Sequence, residues 1–184
     1  MDNKFTEYDF YQLIELLYRN EGQDIEQLEN LLPEDEKIRF VASGSLGFPT
    51  GDIVSVNKHS KGYEVEVSFL GLQGSQSPLP GYYLENVARQ YIHGEEGPGQ
   101  FLNFFNHRFL MLLHRAWRKY RYHVRYRQGG RDRFSQCMFS LIGLGSKALR
   151  QSLSINHSKM LAYSGLLAAP GRSPQVVEGL ISHC

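Results

Sequence analysis

The chain has 184 residues, of which 41% are hydrophobic and 21% charged, a composition typical of folded globular proteins that excludes an extensively disordered chain. The net charge of +1 hides a strong separation, because residues 1–36 carry eleven Asp and Glu residues and residues 108–133 carry nine Lys and Arg residues. Two cysteines, Cys137 and Cys184, exclude a disulfide framework, and the absence of a signal-peptide pattern or a run of about 18 apolar residues predicts a cytoplasmic protein without a membrane span.

The first region, residues 1–36, reads as an acidic helical segment. A helix is predicted from a cap at Thr6 to Arg19, with apolar residues recurring at helical spacing. Its expected buried face consists of Phe10, Leu13, Ile14 and Leu17. The rest of the segment, residues 20–36, is acidic and predicts at most a short helix.

The second region, residues 37–92, predicts a small β-structure. Ile38–Val41 reads as a strand, and the Gly- and Pro-containing stretch GSLGFPTG ends it. Alternating residues in Asp52–Asn57 and in Tyr63–Phe69 predict a β-hairpin with one buried face. A loop with three Gly and two Pro follows at residues 71–81, and a helix is predicted over Tyr82–Ile92.

The third region, residues 93–184, reads as helical and is dominated by a long rod. The stretch Phe101–Arg127 contains no Pro or Gly and is apolar around most of a helix, so we expect burial from several directions. One face of this helix is shared by Phe101, Phe105, Phe109, Leu112 and Ala116. A narrow polar stripe opposite it contains Asn103, His107, His114, Arg118, Arg121 and Arg125.

Further helices are predicted over residues 134–152, with Gly143 and Gly145 weakening the middle, over residues 157–168, and from Ser173-Pro174 onward. The predicted fold class is therefore α+β: mostly helical, with a long central helix and a small antiparallel hairpin or sheet near residues 38–70.

The sequence offers no constellation of residues for catalysis, a metal or a cofactor. His107 and His114 lie seven residues apart with no acidic residue between them, which favours surface histidines over a metal site. Gly143–Lys147 has the wrong order for a phosphate-binding loop, and Cys137 reads as a core thiol. We therefore expect a protein that is not an enzyme and that needs no cofactor.

The basic block leaves two interpretations open. Arginines, Lys119 and interleaved tyrosines can neutralise phosphates and stack on bases, so one hypothesis is a nucleic-acid-binding module. Its residues would be Arg115, Arg118, Lys119, Arg121 and Arg125. The other hypothesis is a protein interface or pairing with the acidic first region, which the modest pI of about 7.8 favours.

Three stretches in order carry a family resemblance: IRFVASGSLGFP, VSFLGLQGSQSPLPGYY and FLNFFNHRFLMLLHRAWRKYR. Together they resemble TssG, the ImpH/VasB family of type VI secretion baseplate subunits, over about residues 10–180. The resemblance implies a non-catalytic scaffold of a bacterial cytoplasmic baseplate wedge, docked at the inner membrane through its partners. It implies two copies of a TssF-like partner, TssK-like trimers recruited through extended loops, and a TssE-like subunit. Family members are near twice this length, so the chain reads as an N-terminal part.

On that resemblance we assign two candidate partner-binding sets. A loop set is expected to dock TssK-like partners and consists of Gly71, Leu72, Ser77, Pro78, Leu79, Pro80 and Tyr82. The stretch His93–Gln100 is expected to be a second docking loop. A helix set is expected to pack on TssF-like partners or in the core. It consists of Phe104, Phe105, Met111, Arg115, Trp117, Arg118 and Tyr120.

Overall fold

A computed structural model describes residues 5, 8–22, 35–94, 97–171 and 173–182. Thr6, the acidic stretch over residues 23–34 and Cys184 lie outside the described residues, so the predicted cap and the predicted short helix fall outside them. The chain divides into two compact units, Met1–Ala116 and Trp117–Cys184, which are described separately below.

Helix α1, Phe10–Asn20, begins later than predicted, and Asp9 in extended conformation occupies the N-cap position. Phe10, Leu13, Ile14 and Leu17 are all buried, as the helical spacing predicted. These side chains belong to one apolar cluster with Ile38, Phe40, Val65 and Val67 of the sheet. At roughly 1.5–3 kcal/mol for each large apolar side chain buried, this cluster is the main source of stability in the first unit.

The sheet contains β1, Ile38–Ala42; β2, Ile53–His59; and β3, Gly62–Val67. The hairpin of β2 and β3 is antiparallel, as predicted. The described sheet as a whole is mixed, however, because β1 pairs with β3 in parallel and the strand order is β1-β3-β2. The predicted α+β class, mostly helical with a small sheet, is confirmed, and the parallel pairing of β1 is an addition to the predicted hairpin. Residues 43–52 join β1 to β2 at one end of the sheet, because Ala42 and Ile53 both pair with Val67. Strand β2 then returns the chain to the other end, so β3 starts beside the start of β1 and runs parallel to it.

Helix α2 spans Gly81–His93 and ends at Gly94, whose positive φ of 74° forms a left-handed C-cap. Helix α3 spans Gly97–Lys119, so it begins four residues earlier than the predicted rod and ends eight residues sooner. After a break at Tyr120 and Arg121, the short helix α4 covers Tyr122–Arg125. No Pro or Gly marks this break. The Tyr122 and Tyr126 hydroxyls each lie within hydrogen-bond distance of a serine in the second unit, which places α4 by tertiary contact.

The predicted helix over residues 134–152 is two helices, α5 over Arg133–Leu141 and α6 over Lys147–Ser152. Gly143 has φ +80°, and the buried Arg150 donates through Nη1 to the carbonyls of Leu144 and Gly145, at 2.6 and 3.0 Å. The guanidinium also lies over the ring of the buried Phe139, 4.8 Å from its centroid. Arg150 thus satisfies backbone carbonyls that a continuous helix would have paired internally.

The remaining helices of the second unit are also shorter than predicted. The stretch over residues 157–168 is divided at Tyr163 into α7, His157–Ala162, and α8, Ser164–Ala168. Helix α9, Pro174–Ser182, begins at the proline that the sequence placed at its first turn. Cys137 on α5 is exposed, so its assignment as a core thiol was wrong.

Candidate partner-binding surfaces

Helix α3 meets the sheet through its polar side chains. The free edge of β1 exposes backbone N–H groups at alternate residues, and two of them donate to α3. The Phe40 N–H donates to His107 Nδ1 at 3.1 Å, and the Ala42 N–H donates to Asn103 Oδ1 at 3.0 Å. Because His107 Nδ1 accepts, its Nε2 carries the proton and donates to the carboxylate of Glu36. The helix therefore closes the edge of the sheet and protects it from further strand pairing.

Two asparagines on α3 also connect the helix to the Pro-containing loop. Asn106 is fully buried, and its Oδ1 accepts from the Leu72 N–H at 2.8 Å. Its Nδ2 donates to Asn103 Oδ1 at 3.1 Å, and Gln73 Nε2 donates to the same oxygen at 3.4 Å. With the Ala42 N–H, Asn103 Oδ1 accepts from three donors. This one amide oxygen therefore links the helix, the strand and the loop.

These contacts place the polar stripe of the rod against the sheet. His114, Leu110 and Met111 lie in the interior on the same side as Asn103 and Asn106. The apolar face that the sequence grouped together is exposed to different degrees, with Phe101 65%, Phe105 39%, Phe109 45% and Leu112 47% accessible and Ala116 also exposed. The expectation of surface histidines at 107 and 114 was wrong, and the aromatic side of the rod is not covered by the described part of the chain. The physical reason is that the edge of β1 needs hydrogen-bond acceptors, which aromatic rings do not supply.

We call the exposed apolar side of α3 the aromatic face; it consists of the four phenylalanines Phe101, Phe104, Phe105 and Phe109 together with Leu112. Phe104 is 70% accessible. Phe105 contacts both Phe101 and Phe104 edge to face, with 5.4 Å between ring centroids in each pair. Edge-to-face contacts of this kind hold the rings in defined positions. A contiguous apolar patch of large side chains on one helix is typical of a protein interface.

The other members of the predicted helix set are placed differently. Met111 belongs to the core, where the Tyr18 hydroxyl donates to its sulfur at 3.3 Å. Arg115 is half-buried, and its Nε and Nη2 have no hydrogen-bond partner among the described residues. In the second unit, Trp117 is half-buried with the Arg121 guanidinium 4.8 Å from its ring centroid, Arg118 is half-buried, and Tyr120 is 84% accessible.

The loop set has a fixed base and an exposed tip. Gly71 is buried, and Leu72 is held by Asn106 as described above. The Ser77 hydroxyl donates to the Leu72 carbonyl at 2.9 Å and accepts from the Leu79 N–H at 3.1 Å, which closes the loop on itself. Leu79 is half-buried and not freely displayed, whereas Pro78 and Pro80 are exposed and Tyr82 is 79% accessible. The surface offered to a partner is therefore centred on the prolines and Tyr82.

The basic block is not a uniform phosphate-facing stripe. Besides Arg121 on Trp117, the Lys119 ammonium lies 5.9 Å from the Tyr120 ring centroid, and Arg118 Nε and Nη1 are buried.

The acidic residue Asp132, next to the basic block, is buried. Burial alone would raise the pKa of Asp132, but hydrogen bonds from the Ser135 hydroxyl and backbone N–H outweigh it and lower that pKa. Within residues 35–94 and the other described stretches, no group of three or more metal-binding side chains occurs.

Comparison with known proteins agrees with the family resemblance of the three sequence stretches. A family model described as type VI secretion, TssG matches residues 4–184. A chain in the cryo-electron microscopy structure of the type VI secretion system TssK-TssF-TssG baseplate subcomplex is similar at 33% identity with a TM-score of 0.38. That match covers 45% of this chain and 34% of that chain, so it spans about a third of the length of the solved relative. No curated protein matches the chain. Among the described residues, no helix is both long and apolar enough to cross a membrane.

Proposed function

The chain belongs to the TssG family of type VI secretion proteins, and from that premise we propose that it is a structural scaffold subunit of the baseplate wedge. In this proposal it binds TssF-like subunits, two copies per wedge, and recruits TssK-like trimers through its loop set, with a TssE-like subunit in the same wedge. It acts in the bacterial cytoplasm and reaches the inner membrane through those partners. The observation that carries the proposal is the aromatic face, which the fold leaves accessible.

The aromatic face is well suited to a permanent subunit interface. Complete burial of a large apolar side chain contributes roughly 1.5–3 kcal/mol, so covering the exposed parts of these five side chains would contribute roughly 4–8 kcal/mol. That amount is comparable with the cost of association, so a stable complex needs additional contacts around the face. Aromatic and arginine side chains are enriched at interfaces, and exposed Arg108 lies among the aromatic residues on α3. We assign this face to a TssF-like partner.

The loop set suits a different kind of contact. Its base is anchored by Asn106 and Ser77, so little conformational entropy remains to be lost when the tip binds. Two prolines limit the tip further, and Tyr82 supplies a rigid aromatic side chain beside them. We assign this tip to a TssK-like partner, with Tyr82 as its anchor.

Co-expression of the chain with TssF-like and TssK-like subunits tests both assignments with reciprocal variants. Phe104→Asp places a charge on the aromatic face and should abolish co-purification of the TssF-like subunit. The double variant Leu79→Gly and Pro80→Gly loosens the loop tip and should lose the TssK-like subunit while the TssF-like subunit is retained. Each variant is the control for the other, since both keep the residues that hold α3 to the sheet. Retention of both partners by both variants would contradict the proposal.

The nucleic-acid alternative receives no support from the family match, and the contacts of Arg121 and Lys119 with aromatic rings engage part of the basic block. The wedge assignment therefore stands as the single proposed function.

A further inference from the structure

The two edges of the sheet differ in how their backbone groups are paired. Strand β1 forms one edge, and its N–H groups at Phe40 and Ala42 donate to side chains of α3, as described above. Strand β2 forms the other edge, because the described strand order is β1-β3-β2. In the part of the chain that the structure describes, backbone hydrogen bonds join β2 to β3 alone. The backbone groups on the outer side of β2 therefore have no described partner.

The outer edge of β2 is also accessible. Val54 is 43% accessible, and the side chains of residues 57–59 are exposed. An accessible edge of this kind can pair with another strand, and bulges are one feature that prevents such pairing. In β2 the register shifts between Ile53 and Ser55, so the irregularity is confined to the start of the strand. Residues 55–59 remain as a regular stretch that can pair.

The two faces of this stretch indicate which side chains an added strand would carry. Val56 packs against the apolar cluster but is only half-buried. Lys58 shares that face, because its ammonium lies 5.2 Å from the ring centroid of Tyr63, which also packs against the cluster. Ser55 and Asn57 alternate with them on the polar face. Since side chains opposite each other on adjacent strands lie on the same face, we expect an apolar residue beside Val56 and polar residues beside Ser55 and Asn57.

The end of β2 at the hairpin turn is positively charged. Lys58 and Lys61 are both exposed there, and neither forms an ion pair with a described residue. An acidic residue opposite Lys58 on an added strand would be favourable, and a basic one would be unfavourable. A second copy of β2 offers no acidic residue for this position, because the strand Ile53–His59 contains none. The charge therefore favours a different protein as the source of the added strand.

We propose that the outer edge of β2 binds an extended segment of a partner protein, which adds a strand antiparallel to β2. The backbone of residues 55–59 supplies the hydrogen bonds. The segment carries an acidic residue opposite Lys58, an apolar residue opposite Val56, and small polar residues opposite Ser55 and Asn57. This edge belongs neither to the aromatic face nor to the loop set, so the inference does not rest on the proposed function.

The test uses the full chain, labelled with ¹⁵N, and the peptide acetyl-Thr-Glu-Thr-Val-Thr-amide. Antiparallel pairing sets the glutamate of this peptide opposite Lys58 and its valine opposite Val56. The control is the same peptide methylated on every backbone nitrogen, which keeps the side chains and removes the backbone donors. In nuclear magnetic resonance spectra the first peptide should shift the amide signals of residues 55–59 and slow their exchange with solvent at alternate positions. No shift of these signals, or an equal effect of both peptides, would overturn the proposal.

A reversal of charge tests the register. Lys58→Glu should weaken binding of the glutamate peptide about threefold or more, as expected when a cross-strand pair of opposite charges becomes one of like charges. The same variant should bind acetyl-Thr-Lys-Thr-Val-Thr-amide more tightly than the original chain does. Lys61→Glu changes the net charge equally but lies in the turn, outside the paired stretch, so it should leave both affinities nearly unchanged. Equal effects of the two variants would contradict the register.

The oligomeric state of the chain without peptide distinguishes a partner segment from a second copy. Sedimentation velocity gives the state, and amide exchange shows whether β2 takes part in it. The amides of β2 that the peptide protects should exchange rapidly in the chain alone. If a dimer forms in which these amides are already protected, the edge belongs to a second copy and the proposal is refuted.

Discussion

The orientation of α3 leads to a prediction that distinguishes the structure from the sequence pattern. Asn103 and Phe104 are neighbours on this helix, but they lie on opposite sides of the boundary between interior and surface. We expect Asn103→Ala to destabilise the first unit strongly and Phe104→Ala to leave it nearly unchanged. A helix that buried its aromatic face would show the opposite order.

The magnitude for Asn103→Ala follows from its three donors. The Ala42 N–H and Asn106 Nδ2 lose an acceptor in a buried environment, whereas Gln73 Nε2 keeps the Ala42 carbonyl. Two buried donors left unpaired at about 1–3 kcal/mol each give a loss of about 2–5 kcal/mol, slightly offset by the better helix propensity of alanine. Since folded domains are stable by only about 5–15 kcal/mol, this is a large fraction of the total.

The magnitude for Phe104→Ala is much smaller. Phe104 is 70% accessible, so truncation removes only a minor part of the roughly 3 kcal/mol that a fully buried ring contributes. The gain in helix propensity offsets part of that loss. The expected net change in the free energy of unfolding is under about 1 kcal/mol.

Urea denaturation of the original chain and both variants, followed by far-ultraviolet circular dichroism, measures these changes. Amide hydrogen exchange at Ala42 provides a local readout, because its N–H loses protection only if the bond to Asn103 is real. If Phe104→Ala proves more destabilising than Asn103→Ala, or if Ala42 keeps its protection in Asn103→Ala, the orientation described here is wrong.

Two further predictions concern single sites. Gly74→Ala should destabilise the first unit by about 1–3 kcal/mol in the same urea assay, because Gly74 has φ +90° and an added Cβ would lie 2.6 Å from the Ser43 carbonyl oxygen. Gly81→Ala, where nothing lies within 4 Å, is the matched control and should be neutral or stabilising, so equal effects of the two would contradict this account. The pKa of Asp132 is lower in the folded state than in the unfolded state, so its carboxylate stabilises the second unit above the usual aspartate pKa, and that contribution is lost as the pH falls through the lowered value. Asp132→Asn should reduce the loss of stability on acidification below about pH 4, and an unchanged pH profile in thermal melts would contradict the role given to the Ser135 hydrogen bonds.

Local sequence patterns predicted most elements of the first unit. The alternation in residues 53–67 specified a hairpin with one buried face, and the spacing of Phe10, Leu13, Ile14 and Leu17 specified the buried side of α1. Both predictions succeeded because their apolar side chains all point to one side, so only one orientation buries them. The three quoted stretches also identified the family, since their order and separation are specific even though each one alone is not.

The lengths of the helices in the second half of the chain were overestimated, because the contacts that end these helices are tertiary and do not show in local sequence patterns. The sequence placed weak points at Gly143 and Gly145, but it gave no sign that Arg150 would satisfy the carbonyls of the intervening turn. Nor did it mark the break after Lys119, where the contacts of Tyr122 with a serine on another helix decide the path of the chain. Tertiary hydrogen bonds of this kind override helix propensity, which amounts to less than about 1 kcal/mol per residue.

By itself the sequence determined which side chains of α3 share a face, because helical periodicity follows from the backbone alone. It did not determine which face would pack on the sheet, since hydrophobicity indicated burial from several directions. Only the tertiary structure decided this, by bringing the unpaired N–H groups of β1 opposite Asn103 and His107. An unpaired backbone donor in the interior costs about 1–3 kcal/mol, so the polar side of α3 turns inward to accept from β1 and the aromatic side remains exposed.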